Sequence, residues 1–212
     1  MALYLLEQRN IRLPASQVKR LYYLLLTAVF LGYFSNVLWA KPGLIFNILA
    51  LIGGAAEIGA FFVLLLIFKR YYKYLQHWIS PFSYVVLNLV LFTFMLKSVL
   101  QFMGSIQYYA DLSFQIKDFI IGYLHLIMLG IFTPFLLVLA KEMNYIRWSN
   151  KAFYIFYSGF LATETLIFLR AIFLWFKISV DAVWISSAIF FFSLWMFTGI
   201  TMFAVQNFKG SR

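Results

Sequence analysis

The chain contains no cysteine in 212 residues. Disulfides, thiolate metal sites and cysteine nucleophiles are excluded with it. Charge is scarce as well. Asp, Glu, Lys and Arg make up 11% of the residues, against about a quarter in soluble domains. Histidine occurs twice, at His77 and His125, too few for a three-histidine copper site. The order of residues supplies no Gly-rich phosphate loop, no zincin helix and no serine–histidine–acid set. There is no internal repeat, low-complexity tract or linker to mark a second domain, so residues 1–212 read as one membrane domain.

What is abundant is apolar surface. Hydrophobic residues are 64% of the chain and aromatics 22%, more than a core of this size can hide, so the solvent must be a bilayer. A helix needs about 20 apolar residues to cross hydrocarbon. A barrel would need alternating strands of about ten residues, and no such alternation is present. The apolar runs predict an all-α, polytopic helix bundle with six transmembrane spans and short loops. The spans fall at about 20–40, 43–68, 81–106, 118–140, 152–176 and 182–205. The first eight residues, MALYLLEQ, read as the last turns of a preceding helix rather than as a signal peptide.

The net charge of +10 could suggest nucleic acid. The basic residues, however, sit in short clusters between apolar runs, which is the pattern of membrane topology. No nucleic-acid partner is expected. Arg9, Arg12, Lys19, Arg20, Lys69, Arg70, Lys73, Lys141, Arg147, Lys151, Lys209 and Arg212 fall on one side, and Lys41, Lys117 and Lys177 on the other. The bias alternates with every span and predicts cytoplasmic N- and C-termini. Trp39, Trp78, Trp148, Trp175 and Trp184 fall near span ends, where aromatic belts form. Trp195 lies deeper and is expected to pack between helices.

Five ionisable residues remain inside the predicted spans: Glu57, Lys97, His125, Glu164 and Arg170. Such groups are costly in hydrocarbon, turn inward and usually pair. At 1.5 Å per residue, Arg170, His125 and Lys97 lie roughly 9–12 Å from the outer face. Glu164 and Glu57 lie roughly 18–21 Å from it on the same count. Lys97, Gln101, Gly104 and Ser105 share one helical stripe. Thr163 and Arg170 share a face with Glu164 nearby. Glu57 stands among Gly53, Gly54, Ala56 and Ala60, and small residues let helices approach closely in lipid. Gly32, Tyr33 and Asn36 add polarity at the outer end of span one. Pro134 is expected to kink span four below the histidine. Two readings of the cluster stay open. In one, the charges neutralise each other and fix helix register. In the other, they line a pocket or ion path open to the outside.

His125 is the one intramembrane candidate for a metal or heme ligand. His77, in YLQHWISP, falls on the cytoplasmic side and cannot share its ligand sphere. The stretch LKSVLQFMGSIQYYADLSFQIKDFIIGYLHLIMLGIFTPFLL, residues 96–137, resembles the C-terminal half of a bacterial family of multi-spanning membrane proteins. The family itself is reminiscent of heme-copper oxidase catalytic subunits. The pieces that carry the resemblance are LKxxLQ with Lys97 and Gln101, IGYLHLxxLG around His125, and LWAKP at 38–42. It runs from residue 2 to about 140. It implies a subunit or half of a heme/copper-type respiratory or gas-handling protein of the bacterial inner membrane. Heme or copper would then come with a partner chain or a histidine-rich N-terminal half. The alternative is a solute or ion transporter, channel or accessory subunit with an outward-facing polar pocket. In both cases the expected partners are the lipid bilayer and another membrane chain or a second copy of this one.

Overall fold

The computed structural model describes residues 14–73, 79–179 and 181–208. The MALYLLEQ segment, Arg9, Arg12, His77, Trp78, Lys209 and Arg212 lie outside the described residues. Among the described residues there is no strand. Six helical spans among the described residues are long and apolar enough to cross a membrane, which makes this a multi-pass helical bundle.

Span one is α1 (Ala15–Gly32), continued by a 3-10 stretch (Tyr33–Ala40). Span two is α2 (Leu44–Arg70) and span three is α3 (Pro81–Gly104). A short helix, α4 (Gln107–Gln115), then lies across the connection that the sequence suggested was plain loop. Span four is composite: α5 (Asp118–His125), a π-helical segment (Leu126–Phe132) and α6 (Thr133–Glu142). Spans five and six are α7 (Asn150–Trp175) and α8 (Ala182–Phe208).

Local chemistry accounts for several boundaries. Spans one and two meet at Lys41-Pro42-Gly43, where Gly43 takes φ +114°, a backbone conformation that side chains resist. Span three opens with Ser80 as cap, its hydroxyl accepting from the Ser83 amide at 3.2 Å, and Pro81 in the first turn. Both are strong helix-start choices. Ser149 caps span five in the same way, accepting from the Ala152 amide. In span four, Pro134 has no N–H to give to the preceding turn. The helix widens just before it, and the Thr133 hydroxyl donates to the Met128 carbonyl five residues back. The expected kink is thus a π segment, a feature often found beside functional residues.

Glycines set the helix contacts. A Cβ on Gly53 would overlap the backbone of Leu31 and Gly32, and one on Gly54 would come within 3.0 Å of the Phe102 Cα. Neighbouring glycines therefore bring span two against span one on one side and span three on the other. Spans five and six form a reciprocal seam, with Gly159 on the Met196 backbone and Gly199 on the Phe156 backbone. Span five is the central helix. Its Phe153, Phe156, Tyr157 and Phe160 build an aromatic core with Val86, Leu126, Val138 and Phe203. Trp195 departs from expectation. It is 45% exposed on span six, and its indole N–H reaches Ser158 at 3.2 Å. The small residues of the seam leave no slot for so large a ring between the helices.

At the basic end, the Lys141 ammonium donates to the hydroxyls of Ser80 and Ser83 and lies 4.9 Å from the Trp148 ring. That contact ties the end of span four to the start of span three. At the opposite end, α4 is fastened to span one. Gln107 donates to the Leu38 carbonyl, Trp39 stacks on Phe114, and Asp111 faces Lys41 at 3.8 Å.

Candidate functional site

The six polar residues singled out from the sequence divide into three places. The first is a five-residue network. Glu57 is 3% exposed and forms an ion pair with Lys97. The Ser98 hydroxyl approaches the same carboxylate at 3.4 Å. The Lys97 ammonium also donates to the Gln101 side-chain oxygen at 2.5 Å, and the Tyr123 hydroxyl donates to that oxygen at 2.7 Å. The network thus joins spans two, three and four. The double glycine one turn before Glu57 brings the span-two backbone close enough for this short carboxylate arm to reach Lys97.

This network faces a cavity of about 880 Å³. The cavity lies at the sparsely charged end of the bundle, among span one, span three, α4 and the first half of span four. Gly32, Tyr33 and Asn36 line it together with Glu57, Lys97 and Gln101. The remaining wall is largely apolar or aromatic, including Leu25, Val29, Ile127 and Phe168, with Trp39 and Trp175 near the mouth. A buried, internally neutral ion pair inside an apolar pocket suits a ligand with a polar head and an apolar body. Orientation follows from occupancy: the Gln101 oxygen already accepts twice, which leaves its amide N–H₂ as the donor side. That nitrogen lies against Gly32, where a Cβ would come within 2.5 Å of it.

The second place is the rim at the sparsely charged end. Arg170 does not pair with Glu164 or Glu57. It holds Asp118 through two parallel hydrogen bonds of 2.6 and 2.7 Å and reaches Ser186 at 3.3 Å. Asp118 begins span four and was not among the polar residues singled out from the sequence. Depth estimated from chain position missed that a long arginine side chain reaches toward the rim. A bidentate geometry of this kind is the preferred arginine–carboxylate pairing.

The third place is the interface of spans four and five. Glu164 is 7% exposed, and neither carboxyl oxygen has a hydrogen-bond partner. The His125 Nδ1 is likewise buried and unpartnered. His125 is half-buried and is not part of the cavity wall. The single layer expected from the sequence is therefore two separate polar sites and a rim pair. Tyr123 and Asp118 are the partners that the sequence reading missed. Tyr123 carried a signal, because it stands inside the IGYLHLxxLG motif two residues before His125.

Among the described residues no three His, Cys, Asp or Glu side chains gather as a metal site. His125 is the only histidine among the described residues, so a heme or copper ion would need further ligands from a partner chain or from the histidine-rich N-terminal half that the resemblance implies. No protein-family model matches the sequence, nor does any curated protein or solved structure.

Proposed function

We propose that this is a solute-binding membrane protein of the transporter or accessory-subunit class, which takes a small neutral amphiphile into the cavity beside span one. The observation that carries this reading is the cavity of about 880 Å³ with mostly apolar walls, whose polar groups converge on Glu57, Lys97, Gln101 and Tyr123. Ligand sites generally combine an apolar lining with a few convergent polar groups. Because Glu57 already neutralises Lys97, a head with a carbonyl or hydroxyl suits the site better than an anion. The positive-inside rule favours the outer face for the cavity mouth, and a bacterial cytoplasmic membrane is the location we propose. The heme/copper reading rests on the sequence resemblance and on His125, and it would require a partner chain or a histidine-rich N-terminal half to complete the ligand set.

The test uses the two tryptophans that line the cavity, Trp39 and Trp175, with the other tryptophans replaced by phenylalanine. In lipid vesicles, a brominated long-chain alcohol should quench them saturably. Gln101→Leu should abolish the saturable component. A brominated alkane should give only the linear quenching of bilayer partitioning. Equal, non-saturable quenching by alcohol and alkane would reduce the cavity to a lipid-facing groove.

A further inference from the structure

The interface of spans four and five contains a second polar site that the cavity does not use. Three contacts fix its register. Asp118 binds Arg170. A Cβ on Gly122 would meet Phe168 and Ile167. A Cβ on Gly130 would meet Phe160. The helices run antiparallel, so the positions between these contacts match in turn, and His125 falls level with Glu164. The two residues carry three buried polar atoms without a hydrogen-bond partner: the His125 Nδ1 and both Glu164 carboxyl oxygens. Buried polar atoms of native proteins nearly always have a partner, and leaving one unpaired costs about 1–3 kcal/mol. Three such atoms in one layer, on two residues at the same level of neighbouring helices and with no direct bond between them, mark a place built to receive a donor.

We propose that His125 and Glu164 form a proton-binding site inside the membrane, with one exchangeable proton held by the pair. The proton either occupies the Glu164 carboxyl with His125 a neutral imidazole, or has passed to Nδ1 through a bridging water, since no direct hydrogen bond or ion pair joins the two side chains. In that step one O–H bond breaks and one N–H bond forms, leaving carboxylate and imidazolium. Both forms of the singly protonated pair have zero net charge, which is the condition a hydrocarbon interior favours. The surroundings keep other donors away. Toward the sparsely charged rim lie Gly122, Ile167 and Phe168, and beyond them the closed Asp118–Arg170 pair. Toward the basic end lie Leu126 and the Gly130–Phe160 contact, with Tyr157 farther along span five. On span three Lys97 is committed to Glu57 and Gln101, and Tyr123 on span four is committed to Gln101. Span four's inner end carries Lys141 and Glu142, and Lys141 is held by Ser80 and Ser83. Span six has no Asp, Glu, Lys, Arg or His from Ala182 to Phe208. The π segment begins at the residue after His125, so the imidazole stands at the most irregular turn of its span, where a small change of helix winding re-aims it.

The experiment uses the scarcity of histidine. In a His77→Ala background, ¹⁵N-histidine labelling reports on His125 alone in vesicle-reconstituted protein. Its imidazole signals are followed across pH by solid-state NMR, with and without Glu164→Gln. The expected result is a displacement of the His125 midpoint by about one pH unit or more, the size expected when a carboxyl at the same level is removed. A second measurement covers a variant that does not fold. The infrared band of a protonated glutamic acid in ¹³C-glutamate-labelled protein should move on His125→Asn and stay in place on Asp118→Asn. Overlapping His125 titrations in the two proteins, or an acid band indifferent to His125→Asn, would overturn the proposal.

Discussion

Replacing Lys97 by methionine preserves most of the side-chain volume and removes the cation from a buried pair. Glu57 would be left 3% exposed, with the Ser98 hydroxyl at 3.4 Å as its remaining hydrogen bond. Removing one partner of a buried ion pair costs about 3–5 kcal/mol, because the other charge stays buried and uncompensated. The lower end applies here, since the Lys97 side chain keeps 16% exposure toward the cavity. Glu57→Gln should cost a similar amount by stranding the ammonium. The double variant Lys97→Met/Glu57→Gln strands neither charge, so its loss should fall about 2–3 kcal/mol short of the sum of the single losses. Equilibrium unfolding in mixed micelles, titrated with dodecyl sulfate and followed by far-ultraviolet circular dichroism, gives all four stabilities. Single losses below about 0.5 kcal/mol, or strict additivity in the double variant, would refute the claim that this pair holds spans two and three together.

Arg170→Lys should lose the paired grip on Asp118 and cost about 1.5 kcal/mol, the low end for charged hydrogen bonds because the arginine side chain is 28% exposed; the same titration measures it, and no change would mean the rim pair is loosely held. Gly53→Ala must push the backbones of spans one and two apart and should cost about 1–3 kcal/mol. Gly32→Ala meets the movable end of Gln101 at 2.5 Å and should instead leave stability nearly intact while weakening cavity binding of the brominated alcohol. Single cysteines at Lys41 and Lys177, in a chain with none of its own, should react with an impermeant thiol reagent added outside intact cells. Cysteines at Lys69 and Lys151 should react only after lysis, and the reverse pattern would invert the orientation.

The six spans were legible because apolar length leaves few alternatives in a chain with so little charge. Their boundaries match the structure to within a few residues at most ends, although span one begins at Ala15 rather than near residue 20. That Glu57 turns toward a close helix neighbour was legible too, since small residues surround it, but which cation it meets there was not. Arg170 was misplaced because depth was counted along the backbone, and a side chain of its length can reach a different layer. Trp195 was misplaced because depth alone says nothing about which face of the helix carries the ring. The π segment had a cue in Pro134, but a proline says that a helix must adapt, not how. The separation of His125 from the Lys97 network depends on which face of span four each residue occupies, and Tyr123 and His125 are only two positions apart.

One ring stands between the two polar sites. Phe168 forms part of the cavity wall and also presses on Gly122, where a Cβ would come within 3.0 Å of it. An occupant that displaces this ring therefore acts on the layer directly above His125 and Glu164. If the occupant changes the proton affinity of that pair, the proton must change the occupant's affinity by the same factor, since binding linkage is reciprocal. The magnitude of that exchange is set by how far a single phenyl group can turn against a glycine, and Phe168→Leu, which shortens the lever while keeping it apolar, should uncouple the two affinities without abolishing either.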